Sequence, residues 1–323
     1  MLSAVSILLP VFGLIFAGFA CRRFGVLGPA AASELNRFVV WLALPALLFH
    51  ILAHASWREL FQPAFVAAFG GAALIVFAAV VGVRLFLRRP LADASIDGLA
   101  AAYPNTGYVG FPLCMIAFGP SSLTPTTIAT ILVVCVLFAI AIVLIETGLQ
   151  SERRPHHLAI KVVRSLLRNP LLVAPALGAI VAGTHVTLPE SAETFLKLLG
   201  GAASPCALVS LGLFLAERGN EAAAKATADK TTEKRESSWW LTLSKLVAQP
   251  ALTWWLAERV FALPAPLVQM AVLLAALPTG TGPFMLAEYY RREAHVTSRT
   301  ILHSTVGSLV TLTLLLLHLR HGG

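Results

Sequence analysis

Long blocks of apolar residues follow one another along nearly the whole chain, and short polar segments separate them. Each block is long enough, at roughly 17–25 residues, to cross the hydrocarbon core of a bilayer as a helix. Apolar residues fill the blocks instead of alternating or marking one helix face, which is typical of membrane helices. The pattern predicts an all-α integral membrane protein with ten spans, at residues 4–20, 36–54, 64–86, 96–118, 126–148, 166–183, 194–216, 239–258, 266–288 and 299–319.

Composition agrees with a membrane protein and leaves no room for a large soluble domain. Of the 323 residues, 57% are hydrophobic and only 12% are charged, and the mean hydropathy is +0.79. The net charge of +8 is not gathered into a basic patch with interleaved aromatic residues, so no nucleic-acid partner is expected. The lipid bilayer is the expected surrounding, and a homodimer is the expected assembly.

The Lys and Arg residues lie mainly in alternate loops. Twenty of the 24 fall on one side of the predicted spans, counting Lys245 with the loop after the seventh span, and the other four are Arg58, Lys197, Arg259 and Arg320. Cytoplasmic loops carry the excess of Lys and Arg. The sequence therefore predicts a multi-pass protein of the cytoplasmic (inner) membrane with both termini outside the cytoplasm.

The two halves of the chain carry similar short motifs in the same order. "GLIFAG" at 13–18 matches "GAIVAG" at 178–183, Pro45 corresponds to Pro205, and "AAAYPNTGYVGFP" in the fourth span corresponds to "AALPTGTGP" in the ninth. With five spans per half, an odd number, the second copy must be inverted, as in many secondary transporters. The predicted organisation is a first five-helix repeat at 1–150, a cytoplasmic connector at 151–165 and a second repeat at 166–323, which contains a cytoplasmic linker at 217–238.

The fourth and ninth spans are predicted to be broken helices that cross at the middle of the membrane. "YPNTGYVGFP" at 103–112 places two prolines, two glycines and an asparagine inside a span. Unwound backbone at that depth is tolerated only where protein buries it or where it lines a cavity. Pro112 and Pro283 suit the first turn of the half-helix after each break, because proline has no N–H to lose there. The alternative is that the two stretches are simple helix kinks whose backbone is satisfied by neighbouring helices.

Two half-helix N-termini that point at the membrane centre would favour an anion such as a carboxylate, because each offers free N–H groups and a partial positive charge. The glycines allow a ligand to approach the backbone closely, and the Asn and Thr side chains can hydrogen-bond it. The predicted substrate site comprises Pro104, Asn105, Thr106, Gly107, Gly110, Pro112, Pro278, Thr279, Gly280, Thr281, Gly282 and Pro283.

Three stretches resemble the auxin efflux carrier family of secondary transporters, in particular its bacterial malonate-permease-like members. They are "YPNTGYVGFPL" in the fourth span, "LPTGTGPFMLAEYY" in the ninth and "STVGSLVTLTLLL" in the tenth. The resemblance implies two inverted five-helix repeats, a scaffold part and a transport part, crossed broken helices at the substrate site, and organic anions as substrates. Pro104, Asn105 and Pro112 match the family's crossover residues, with Pro278 and Thr279 as their partners. Where many members have an asparagine in the ninth span, this chain has Gly282 and Pro283.

The expected function is therefore transport of a small organic anion, a carboxylate or malonate-like dicarboxylate, by alternating access. No cofactor, metal site or catalytic residue is expected. Asp97, deep at the inner end of the fourth span, and His303 in the tenth are candidates for coupling transport to ion movement. Two alternatives stay open: a cation-coupled carrier of another solute class, such as a bile-acid-symporter-like protein, and a membrane-embedded enzyme, for which the chain has no aspartate cluster or His-Glu-x-x-His helix.

Overall fold

The computed structural model describes residues 4–54, 61–149, 163–164, 167–168, 170–184, 187–225 and 232–321. Within these ranges the chain is helical, and its only extended contact is one isolated β-bridge. The helices are α1 Ala4–Arg23, α2 Ala31–His54, α3 Pro63–Phe86, α4 Leu91–Ala102, α5 Thr106–Phe118, α6 Pro120–Leu149, α7 Pro170–Thr184, α8 Glu190–Gly201, α9 Ala203–Lys225, α10 at 232–260, α11 Ala265–Ala275, α12 Gly282–Tyr289 and α13 Ala294–His321.

Helix bounds follow the apolar blocks of the sequence. Among the described residues, five segments are long and apolar enough to cross a membrane: α2, α3, α6, α13 and the pair α8 and α9 taken as Glu190–Glu217. The predicted connector at 151–165 lies almost wholly outside the described residues. Of the predicted linker at 217–238, the structure describes helix up to Lys225 and again from Thr232, and 226–231 lie outside the described residues.

Proline marks where several of these helices begin. Pro63, Pro120 and Pro170 are the first residues of α3, α6 and α7. The first N–H groups of a helix have no partner within it, and the fixed φ of proline already suits a helix, so proline costs little there. The prolines between the apolar blocks therefore act as helix start signals.

One compact unit comprises 1–61, 107–119 and 169–231, which contain α1, α2, most of α5 and α7 to α9. Its helices pack closely at glycines. Gly18 on α1 lies against the backbone of Val209, so a Cβ atom would not fit there, and a Cβ at Gly178 on α7 would lie 2.6 Å from the carbonyl oxygen of Phe49 on α2. Small residues allow membrane helices to pack backbone against backbone. Gly18, the last residue of the first motif, and Gly178, the first residue of the second, thus serve helix packing.

A second compact unit comprises 62–106, 120–168 and 232–323, which contain α3, α4, α6 and α10 to α13. Helices α3 and α4 approach at Gly98, where a Cβ atom would lie 2.8 Å from a methyl carbon of Val81. The loop after α12 is tied to α4 by Arg292, which donates to both carboxylate oxygens of Asp93, with Nη2 and Oδ2 2.9 Å apart. Asp93 thereby raises the pKa of Arg292. Both units draw on both halves of the sequence.

Candidate functional site

Two helix interruptions in the second unit pair with each other. The first, at 103–105, separates α4 from α5, and the second, at 276–281, separates α11 from α12. An antiparallel bridge joins Pro104 and Thr279. The N–H of Asn105 donates to the carbonyl of Pro278, and the N–H of Gly280 donates to the carbonyl of Tyr103, each at 2.9 Å. The backbone groups that each interruption leaves open are therefore satisfied in part by the other, which lets both breaks remain buried.

Side chains around the bridge add further hydrogen bonds. The N–H of Thr279 donates to Oγ of Ser304 on α13 at 3.0 Å, and the Thr279 hydroxyl donates to the carbonyl of Ala100 on α4 at 2.9 Å. Thr106 is 1% exposed, and its hydroxyl has no hydrogen-bond partner within the described residues. A buried hydroxyl without a partner is costly unless a ligand or water satisfies it. Of the predicted polar residues, Thr279 is thus engaged with protein and Thr106 has an unused hydroxyl.

The glycines of the second break make room for an aromatic ring. A Cβ atom at Gly280 would lie 2.9 Å from Cε1 of Tyr103, and one at Gly282 would lie 2.7 Å from its Cζ. Separations below 3.0 Å would force the ring to move. The space beside these two glycines is therefore filled by Tyr103, and their evident role is close packing of the two breaks.

The two prolines after the breaks occupy different positions in their helices. Pro283 is the second residue of α12, in its first turn. Helix α5 begins with a wide π-type turn at Thr106–Gly110. Its first residue, Thr106, is six residues before Pro112, so Pro112 lies in the second turn of α5. Gly107, Gly110 and Pro112 belong to the first unit, where a Cβ at Gly107 would contact the side chain of Leu44 at 3.5 Å.

Helix α10 supplies two polar side chains to the carbonyl ends of the helices before the breaks. The Lys245 ammonium donates to the carbonyl of Ala275, the last residue of α11, at 2.6 Å. One turn later the Gln249 amide donates to the carbonyl of Ala102, the last residue of α4, at 3.1 Å. Both side chains are fully buried. The last carbonyls of a helix have no partner within it and carry partial negative charge, so the two side chains stabilise both helix ends.

The sequence pattern did not indicate the role of either residue, and it predicted that Lys245 belongs with the loop charges. Lys245 is 0% exposed and lies within α10, so it is not an interfacial charge. No carboxylate lies within ion-pair distance of its ammonium among the described residues. The signal that could have found the pair is a Lys and a Gln four residues apart inside an otherwise apolar span, which puts both on one helix face.

The two coupling candidates lie in different surroundings. Asp97 on α4 is 3% exposed and pairs with Arg84 on α3, with the nitrogen and oxygen 2.7 Å apart. His303 on α13 stacks on Trp239, with ring centroids 4.2 Å apart, and its Nδ1 lies 3.3 Å from Oγ of Ser238. Asp97 is thus half of a buried ion pair, while His303 contacts α10.

The sequence profile of a family described as membrane transport protein matches residues 3–316. The chain belongs to the auxin efflux carrier family. It is 31% identical to the "Putative malonate transporter" of Rhizobium meliloti strain 1021, over 100% of this chain and 98% of that protein. It is 24% identical to the "Uncharacterized transporter YfdV" of Escherichia coli K12 over 94% of each chain, and 23% identical to "Auxin efflux carrier component 8" of Arabidopsis thaliana over 95% of each.

Membership of this family, together with the long apolar helices, makes the protein an integral membrane transporter with a small-molecule substrate. The resemblance drawn from the sequence motifs is confirmed. All three relatives are named as transporters or carriers, which is consistent with the expectation of transport instead of catalysis.

Proposed function

We propose that this family member transports a small organic anion, a malonate-like dicarboxylate or related carboxylate, across the cytoplasmic membrane. The observation that carries the proposal is Lys245, whose amino group is fully buried beside the second break with no carboxylate in reach among the described residues. An ammonium group has three N–H donors, and the carbonyl of Ala275 uses one of them. A carboxylate of the substrate would accept the others and neutralise the charge, which in a low-dielectric surrounding is strongly favourable.

The substrate site we propose is the pair of breaks, with Pro104, Asn105 and Thr106 on one side and residues 278–283 on the other. The unused hydroxyl of Thr106 supports a polar ligand there. The first turn of α12, which starts at Gly282, offers N–H groups without partners in the helix and a partial positive charge, both of which favour an anion. The name of the Rhizobium meliloti relative supports malonate as the first acid to test.

Transport by alternating access would use the inverted repeat expected from the two halves, at 1–150 and 166–323, with both termini outside the cytoplasm. Asp97 and His303 remain our candidates for coupling to protons, since both can take up or release one. The pH dependence of uptake in Asp97→Asn and His303→Gln tests them separately, because loss of that dependence in one variant alone would identify the coupling group.

The experiment that tests the site compares Asn105→Asp with Asn105→Ala. The backbone N–H of Asn105 keeps its bond to Pro278 in both variants, so only the side chain changes. Removing the amide costs hydrogen bonds worth about 0.5–1.5 kcal/mol each, which weakens binding by roughly two- to tenfold. The aspartate is nearly isosteric but negative, and it would repel a carboxylate and compete for the same helix end. Malonate affinity should therefore fall much further for Asp than for Ala, and lowering the pH enough to protonate the new carboxyl should restore part of it.

Binding is measured on the purified protein, and flux of labelled malonate on the protein in liposomes. Gln269→Glu is the control, because it also exchanges a side-chain amide for a carboxylate, on α11 and outside the breaks at 103–105 and 276–281. Equal losses in the two Asn105 variants, or tighter binding by the aspartate form, would show that the breaks do not hold an anion. That result would favour a cation-binding carrier instead.

A further inference from the structure

A cluster of two histidines and a glutamate lies in the first unit, apart from the helix breaks. His50 and His54 are four residues apart at the C-terminal end of α2, with ring centroids 4.6 Å apart. Glu193, from the first turn of α8, faces them, and its Oε1 lies 3.1 Å from Nε2 of His54. One ligand atom from each of the three side chains lies within 4.8 Å of the other two. Residues 139 positions apart in the sequence are thus brought together at this point.

The hydrogen bonds of His54 leave its second nitrogen facing a carboxylate. Nδ1 of His54 lies 2.9 Å from the carbonyl oxygen of His50, and because a carbonyl only accepts, Nδ1 carries the hydrogen. In the neutral ring Nε2 is then an acceptor, and it faces Oε1 of Glu193, which is also an acceptor. Two acceptors at 3.1 Å need a positive species between or on them. That species is either a proton on Nε2 or a metal ion.

The neighbouring groups favour a metal ligand set. The other carboxylate oxygen of Glu193 accepts from Lys197 at 3.0 Å, which holds the carboxylate in place while leaving Oε1 turned toward the histidines. Nε2 of His50 is buried and has no hydrogen-bond partner within the described residues. Metal-bound imidazoles are typically oriented by a hydrogen bond from the other ring nitrogen to a carbonyl, as Nδ1 of His54 is here.

Geometry and access also suit an ion. Ligand atoms around tetrahedral zinc lie about 3.3–3.6 Å apart, given metal–ligand distances of roughly 2.0–2.2 Å. Side-chain rotations of the two histidines, on adjacent turns of α2, and of Glu193 on α8 can close the present separations of up to 4.8 Å. The side chain of His54 is 46% exposed at the last residue of α2, so the cluster is open at the protein surface. Helix α7, which packs on α2, carries no titratable residue over Pro170–Thr184, and among the described residues Lys197 is the cation that contacts the carboxylate.

We propose that His50, His54 and Glu193 form a binding site for one divalent transition-metal ion of the zinc type, with water completing the coordination. Two imidazoles and a carboxylate with one open position are a recognised ligand set for zinc. The proposal does not depend on the identity of the transported solute.

The test uses the full chain, purified in detergent without a histidine tag. Zn²⁺ bound after dialysis is counted by elemental analysis, and Co²⁺ is used as a spectroscopic probe. We expect one ion per chain, a visible absorption spectrum typical of four-coordinate cobalt with nitrogen and oxygen ligands, and at least about tenfold weaker binding in His50→Ala, His54→Ala and Glu193→Gln. His318→Ala, which removes a histidine from the exposed end of α13, is the control and should keep full affinity.

Two results would overturn the proposal. The first is that wild-type protein retains no Zn²⁺ and gives only the spectrum of six-coordinate aqueous cobalt, which would leave His54 and Glu193 as a simple ion pair. The second is that the ion persists with unchanged affinity in all three variants, which would place it at other residues. The wild-type spectrum decides the first point even if a variant fails to fold, and size-exclusion profiles identify such a variant.

Discussion

The buried ion pair between α3 and α4 gives a prediction whose size can be worked out. Arg84 and Asp97 are 5% and 3% exposed, their charged atoms are 2.7 Å apart, and the Arg84 guanidinium also lies 5.2 Å from the ring centre of Trp240. Asp97→Asn keeps the shape of the side chain but removes its charge, which leaves a buried arginine without a counter-ion. Breaking a buried pair in this way costs about 3–5 kcal/mol.

That cost converts to a shift in melting temperature. With an unfolding entropy of about 2.1 cal/mol/K per residue, a 323-residue chain changes by about 0.7 kcal/mol/K, so Tm should fall by about 4–7 °C. Helices that persist in detergent lower the unfolding entropy, which makes this shift a minimum. Tryptophan fluorescence during heating of the purified protein measures it.

Two further variants test whether the ion pair itself sets this shift in Tm. Arg84→Met combined with Asp97→Asn leaves no unpaired charge and should recover most of the lost Tm. Glu34→Gln is the control, because its pair with Arg37 has side chains 64–71% exposed and should change Tm by less than about 1 °C. A Tm for Asp97→Asn within 1 °C of wild type, or a double variant less stable than the single one, would show that the pair does not stabilise the fold as argued.

Three other predictions concern the site and the orientation in the membrane. Lys245→Met should weaken malonate binding by about 10- to 100-fold, as expected for loss of a charged hydrogen bond, and unchanged affinity would argue against an anion at this group. The Tm should change by only a few °C, because loss of the bond to the Ala275 carbonyl and removal of a buried charge oppose each other. Gly282→Ala would put a methyl carbon 2.7 Å from a ring carbon of Tyr103, which should lower the free energy of unfolding by about 1–3 kcal/mol. Gly13→Ala is the control, because the added methyl carbon would meet nothing within 4 Å and should leave the Tm unchanged in the same melting assay. In a background lacking the native cysteines, a cysteine at the exposed position Ser121 should react with a membrane-impermeant thiol reagent in intact cells. A cysteine at Ala30 should react only after the cells are permeabilised, and the reverse pattern would invert the proposed orientation.

Much of the helix layout could be predicted from the sequence because its causes are local. Apolar blocks of spanning length, and prolines at the start of helices such as α3 and α6, act over a few residues. Pro104 and Pro278 likewise predict where α4 and α11 stop, since the residue before a proline disfavours helix. The ranges at 96–118 and 266–288 therefore contain the interruptions that the structure describes.

What could not be predicted depends on contacts between distant segments. Nothing local to Tyr103 indicates that its ring fills the space above Gly280 and Gly282, which leaves less room for a ligand than the glycines alone suggest. Charge counting likewise assigned Lys245 to the membrane surface, because a lysine near a predicted span end is normally interfacial. Its partner is the carbonyl of Ala275, thirty residues away, and only the packing of α10 against α11 brings them together.

The shared support from α10 links the two breaks energetically. Lys245 and Gln249 lie one turn apart, and each satisfies the carbonyl end of a different helix, α11 and α4. On the proposed function, the substrate accepts from the N–H groups of Lys245 that Ala275 does not use. An anion that pulled the ammonium further, off the Ala275 carbonyl, would leave that buried carbonyl unpaired, at a cost of about 1–3 kcal/mol. The second break can avoid that cost only by rearranging, and the bridge between Pro104 and Thr279 would carry the rearrangement to the first break. Substrate binding at Lys245 would therefore bias the conformation of both breaks together, which a transporter that alternates between two states requires.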